Sequence, residues 1–124
     1  MRLLVMLGSL NAFLAVALGA FGAHFLRARI SPDLLAVYQT GVLYHLTHAL
    51  ALLFAALFVE RTPSSSMARW AGGLFAAGIV LFSGSLYLLA VTGIRIFGAV
   101  TPFGGVCFLT GWALLFWTAL RHRP

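Results

Sequence analysis

Tyr38, Gly41, His45 and His48 follow one another at intervals of three or four residues, in a chain whose only carboxylate side chains are Asp33 and Glu60. On a helix that spacing gathers the four into one stripe. The segment that holds them, Leu34 to Val59, is otherwise apolar, interrupted by Gln39, Thr40, Tyr44 and Thr47 beside the tyrosine and the histidines of the stripe. Ionisable groups inside such a segment are costly, face a protein interior and either find partners or mark a functional site. Neutral imidazole is the commonest nitrogen ligand, so His24, His45 and His48 first raise a metal or haem site. The spacing gives that reading little support, because His24 falls over about 10 Å from the other two along the helix axes. Neither a second cysteine nor an interior carboxylate completes a shell. A second reading is proton relay or transport along the stripe. The third, which the residue types favour, makes the histidines hydrogen-bonded ties between helices. No serine, histidine and acid set can assemble, since Asp33 and Glu60 stand at opposite ends of one helix. We therefore expect no catalytic residues, no metal and no cofactor.

Depth along the helices suggests partners for the stripe. With a rise of 1.5 Å per residue, Asn11 lies about 12 Å into the first apolar run and comes level with His48, while Ser83 and Ser85 come level with His45. His24 and Tyr87 fall nearer the far surface. The candidate interior polar cluster is thus Asn11, His24, Tyr38, His45, His48, Ser83, Ser85 and Tyr87.

The elements that must carry these residues follow from composition. The chain has 124 residues, of which 62% are hydrophobic and 8% charged, with a mean hydropathy of +1.04. A water-soluble globule of this size cannot hide that much apolar surface. Leu3 to Ala23 and Trp70 to Ile94 contain no ionisable side chain other than Tyr87, and each exceeds the roughly 20 residues that cross a hydrocarbon core. Together with Leu34 to Val59 and Pro102 to Leu120 they predict an all-α, polytopic integral membrane protein. It is read as one domain of four transmembrane helices, spanning roughly 3–25, 34–59, 70–92 and 102–120, in a small left-handed bundle with short loops.

Breakers agree with that count. Ser31 is a cap, Pro32 the first helical residue and Asp33 a first-turn acid, so the second helix starts there. "ERTPSSSMAR" is a turn-rich loop, and Thr101 with Pro102 behind it is read as the cap of the fourth helix. Arg2 with an apolar stretch and small Ala20 and Gly22 also fits a signal peptide, but the run is read as a retained span. "GSLNAF" and "GSLYLL" do not make a repeat, because they fall at different depths.

All eight basic residues are arginines at or beside helix ends, giving a net charge of +6. Arg2, Arg61, Arg69, Arg121 and Arg123 share one side of the membrane, and Arg27, Arg29 and Arg95 the other. The excess predicts both termini in the cytoplasm of a bacterium, with the chain in the inner membrane. Dispersed arginines make no nucleic-acid patch. They suit lipid phosphates instead, with the tail "RHRP" as an anionic-lipid contact. Cys107 is the single cysteine, so no intrachain disulfide forms.

Gly8, Ala12, Ala15, Gly19 and Gly22 step by four, three, four and three residues and form a seam of small side chains along the first helix. Lipid is as apolar as leucine, so membrane helices associate by close backbone approach, which small residues permit. Ala71, Gly78, Ser85 and Thr92 repeat every seven residues, which makes the third helix the expected neighbour of that seam. Gly104, Gly105 and Gly111 predict a close-packed fourth helix.

"LGAFGAH" at Leu18 to His24, "SPDLLAVYQTGVLYHLTHALALL" at Ser31 to Leu53, "SGSLYLLAVTG" at Ser83 to Gly93 and "TPFGG" at Thr101 to Gly105 closely resemble a bacterial inner-membrane family, domain of unknown function four-two-three. That family also takes in the small eukaryotic transmembrane protein two-five-six. Phe25 and Arg27 stand where its pattern has glycine and lysine. The resemblance implies a four-helix membrane protein and no activity. Two functional classes remain: a structural or interaction protein that packs against the bilayer, itself or another membrane protein, and a small transporter or channel component using the stripe.

Overall fold

The structure, a computed structural model, describes residues 1–122. Arg123 of the basic tail lies outside them. Among the described residues every regular element is helical. Four helices are long and apolar enough to cross a membrane, and they are numbered α1 (Arg2–His24), α2 (Pro32–Arg61), α3 (Ser66–Thr92) and α4 (Thr101–Arg121). Short 3₁₀ turns, Leu26–Ala28 and Arg95–Ala99, come after α1 and α3.

Local chemistry sets the boundaries. The Ser31 hydroxyl accepts a hydrogen bond from the Leu34 amide at 3.2 Å, with Pro32 behind it, as expected of a capped start. Gly93 stops α3 in the left-handed conformation at φ 70°, which glycine adopts without strain. Thr101 is a correction: it is the first residue of α4, and its hydroxyl is bonded to Ser85 at 2.6 Å rather than to its own helix start. The α3 helix begins at Ser66, four residues before the apolar run does, because polar residues continue a helix beyond the hydrocarbon. Within it, Ile79–Ser83 forms a wide π turn. Ala71 and Gly78 before it and Ser85 after it are buried, while Thr92, the last residue of the helix and the end of the seven-residue repeat, is exposed.

The small seam lies against α2 and not against α3, which corrects the expected neighbour. A side chain at Gly8 would meet Leu53, one at Gly19 would meet Val42, and one at Gly22 would meet the ring of Tyr38. The reason is steric. Small residues receive large ones with fewer voids than they receive another small seam, and α1 and α2 are antiparallel neighbours joined by a short turn. Ala12 and Gly19 are half-buried on this face, and Gly8, Ala15 and Gly22 are buried. Three glycines of α3 and α4 are used across their own contact: Gly78 faces Phe108, Gly111 faces Phe75, and Gly104 lies on the backbone of Phe82, while Gly72 of α3 receives Leu4 of α1.

Two apolar clusters fill the bundle. The larger, around Leu52, Ala55, Ala71, Phe75, Phe108 and Leu115, occupies the half nearer the chain termini. The smaller, Leu26, Tyr38 and Ala90, closes the far end. The histidines sit between them.

Candidate functional site

Both stripe histidines are buried, each 4% exposed. His45 leaves α2 between α1 and α3. Its Nε2 lies 3.0 Å from Asn11 Oδ1, and its Nδ1 lies 2.9 Å from the Tyr87 hydroxyl. Asn11 in turn donates from Nδ2 to the Leu7 carbonyl at 2.8 Å. A carbonyl only accepts, so this bond orients the amide and leaves Oδ1 as the acceptor for His45. His45 therefore carries a proton on Nε2, and in the neutral ring Tyr87 donates to its Nδ1.

His48 has the opposite arrangement. The Trp112 indole of α4 donates to His48 Nε2 at 3.1 Å, and an indole nitrogen can only donate. The proton of His48 is then on Nδ1, which gives it to the Tyr44 carbonyl at 2.8 Å. Its ring stacks on Phe108 with centroids 3.5 Å apart and planes inclined by 8°. A second proton on Nε2 would face the indole N–H.

Three further bonds tie the helices. Tyr38, 2% exposed, donates its hydroxyl to the Leu18 carbonyl of α1 at 2.6 Å. Ser83 donates to the Gly41 carbonyl of α2 at 2.8 Å. Ser85 donates to the Phe82 carbonyl at 2.8 Å, which leaves the Thr101 hydroxyl to donate across the α3 to α4 contact. Among the described residues no buried side-chain nitrogen or oxygen lacks a partner.

The expected pairings are therefore revised. Asn11 is the partner of His45 and not of His48, because three residues along a helix turn the side chain about 60° short of a full circle. That rotation sends His48 towards α4 although its depth matches Asn11. Ser83 and Ser85 bond backbone and Thr101 rather than His45. Tyr87 takes their place, since a long helical side chain slants back towards the N-terminus of its own helix and so reaches deeper than its Cα. His24 is exposed and does not belong to the interior cluster. It stands two residues beyond buried Gly22, a rotation of about 200° that puts it on the opposite face.

Trp112, Tyr44 and Thr101 join the cluster without having been expected there. The signal for Trp112 was its position: Trp70 and Trp117 lie near helix ends, where indoles favour the membrane interface, whereas Trp112 is mid-helix. An indole N–H there needs an acceptor inside the protein. Among the described residues no group of three or more histidine, cysteine or acidic side chains converges on a common point. Two cavities, of about 300 and 290 Å³, lie at the end of the bundle nearer the chain termini, and neither is lined by His45 or His48.

Four apolar helices joined by interior hydrogen bonds define a small multi-pass membrane protein. A profile of the family described as protein of unknown function (DUF423) matches residues 18–105, and the chain belongs to that family. It is similar to the UPF0382 membrane protein YwdK of Bacillus subtilis (strain 168), with 48% identity over 122 residues, 98% of this chain and 99% of that one. A UPF0382 membrane protein of Staphylococcus epidermidis (strain ATCC 12228 / FDA PCI 1200) shares 45% identity over 121 residues, 98% of both chains. One from Staphylococcus aureus (strain bovine RF122 / ET3-1) shares 47% over 115 residues, 93% of both. No solved structure matches the chain.

Proposed function

We propose that this protein is a non-catalytic structural or interaction protein of the bacterial inner membrane, with both termini in the cytoplasm. Its working surface is the outside of the bundle, which packs against lipid and against a second copy or another membrane protein. One observation carries the reading: both nitrogens of each interior histidine are engaged, and three of the four bonds run between helices, from His45 to α1 and α3 and from His48 to α4. A conducting stripe needs donors and acceptors left open to water or to a passing ion. A stripe whose groups satisfy one another acts as cross-bracing. The shortness of the loops supports the same reading, since the chain offers little surface outside the membrane.

The test is a flux assay with a companion cross-linking experiment. Liposomes containing the purified protein and a pH-reporting dye should dissipate a proton gradient no faster than empty ones. Cross-linking in intact membranes should give discrete species larger than the 13.3 kDa monomer. Flux above the empty-liposome rate that disappears in His45→Leu would replace this reading with the transport one.

A further inference from the structure

The end of the bundle nearer the chain termini carries two adjoining cavities of about 300 and 290 Å³ that share Thr62 and His122 as walls. Their linings differ in kind. The first is bounded by Ser64, Ser65 and Ser66, by Arg121, and by Thr118. The second is bounded by Phe54, Leu57 and Phe58 of α2 and Ala119 of α4, with Arg61 at its edge. One half is thus hydroxylic and cationic, and the other is a hydrocarbon slot between two helices on the side that faces lipid.

We propose that this double cavity is the seat of one anionic phospholipid, with the phosphate in the serine and arginine half and an acyl chain in the slot between α2 and α4. Three features converge on that ligand. The polar half offers hydroxyl donors and a guanidinium, the donor set that fits phosphate oxygens. Arg121, which lines the polar half, also has its guanidinium carbon 5.2 Å from the ring centre of Trp117, so its charge is held at the level of an interfacial aromatic. The apolar half lies directly alongside and is continuous with the membrane-facing surface, where Phe54, Leu57 and Ala119 are exposed. A free phosphate would have no use for it.

Charge favours an anionic over a zwitterionic lipid. Arg61 and Arg121 line the two halves, and Arg69 stands in the first turns of α3 with one guanidinium nitrogen donating to the Pro63 carbonyl at 3.0 Å. Glu60 is the only carboxylate side chain on this end of the bundle. An arginine near an anionic headgroup contributes about fivefold in affinity, so two of them give a strong preference. The proposed topology places this end at the cytoplasmic leaflet, but the seat itself does not depend on the protein having any protein partner.

The experiment uses the full chain, stripped of lipid in detergent, with binding of phosphatidylglycerol, phosphatidylcholine and inorganic phosphate followed by native mass spectrometry and thermal shift. One phosphatidylglycerol per chain should bind at least tenfold more tightly than phosphatidylcholine, and millimolar inorganic phosphate should not displace it. Arg121→Gln should lower phosphatidylglycerol affinity about fivefold and leave phosphatidylcholine unchanged. Ala119→Phe, a change at an exposed position that fills the slot, should weaken both lipids. Arg95→Gln at the opposite end should do neither. Equal binding of the two lipids, displacement by inorganic phosphate, or full phosphatidylglycerol affinity in both Arg121→Gln and Ala119→Phe would each overturn the proposal. Should Arg121→Gln lower the melting temperature of the lipid-free protein, Arg61→Gln supplies the same comparison from the other half.

Discussion

Gly104→Ala is expected to be the most damaging single methyl that can be added to this protein. A Cβ at Gly104 would stand 2.3 Å from the backbone nitrogen of Phe82 and 2.7 Å from its Cα, where ordinary contact begins near 3.4 Å. The obstacle is backbone, so no side-chain rotation relieves it, and α4 must withdraw from α3 by about 1 Å. That withdrawal also loosens Phe108 under Gly78 and Phe75 over Gly111, because both contacts belong to the same interface. Overpacking of this kind costs about 1–3 kcal/mol, and a rigid obstacle belongs at the upper end. Gly73→Ala is the control: nothing lies within 4 Å of its added methyl, and replacing a helical glycine gains up to about 1 kcal/mol. Gly104 is helical too and shares that gain, so reversible unfolding in mixed micelles, followed by circular dichroism, should separate the two variants by the overpacking cost, about 2–3 kcal/mol. A further comparison isolates the cause. Gly78→Ala meets the Phe108 ring, so Phe108→Leu should recover part of its loss, whereas Phe82→Ala should recover little in Gly104→Ala because the nitrogen and Cα remain. Equal stability of Gly104→Ala and Gly73→Ala, or full rescue by Phe82→Ala, would refute the argument from backbone contact.

The remaining predictions concern the polar interior and the topology. In a double-mutant cycle of Asn11→Leu and His45→Leu, the coupling should be about 0.6 kcal/mol, the average for interhelical polar contacts in membranes, and the corresponding Asn11 and His48 cycle should show none. His48→Phe keeps the stack on Phe108 but leaves the Trp112 indole without its acceptor, at about 1 kcal/mol; an unchanged indole signal in ultraviolet resonance Raman would contradict the bond. Purified protein should show no Soret band and no stoichiometric zinc or copper, and a one-to-one signal lost in His48→Ala would make the stripe a cofactor site. With Cys107→Ala as background, a cysteine at Ser65 should label from the cytoplasm and one at Arg29 from outside.

The first-order pattern of this fold was legible because it is set by single helices. Apolar run length gives four spans, Ser31 and Pro32 give a capped start, and the small seam of α1 is a packing face. The features that escaped depend on two helices at once. Matching small residues with small residues pointed the seam at α3, but the partners of Gly8, Gly19 and Gly22 are Leu53, Val42 and Tyr38, bulky residues of α2 rather than small ones of α3. Depth arithmetic placed Asn11 level with His48 and still named the wrong histidine, since azimuth decides between residues less than one turn apart. The π turn at Ile79–Ser83 carries no breaker at all. It goes with the approach of Gly104 to Phe82 and with the bond from Ser83 to Gly41, neither of which is written in α3 itself.

The glycines of "LGAFGAH" show how packing and polar satisfaction depend on each other in this bundle. A methyl at Gly22 would stand 2.4 Å from a ring carbon of Tyr38, so this glycine is the space that the tyrosine occupies. With the ring seated there, its hydroxyl reaches the Leu18 carbonyl one turn earlier on α1, and its face lies 5.1 Å from the ring of Tyr87. Tyr87 holds His45, and His45 holds Asn11 back on α1. The bonds thus return to the helix that supplied the space. Had Gly22 carried a side chain, Tyr38 would have had to turn away, and Tyr87 would have lost the surface against which it is set before it reaches His45. The histidine therefore needs no ligand to explain its presence: it is the acceptor for one neighbour and the donor to another, at the one level of the bundle where α1, α2 and α3 all bring a polar group inward.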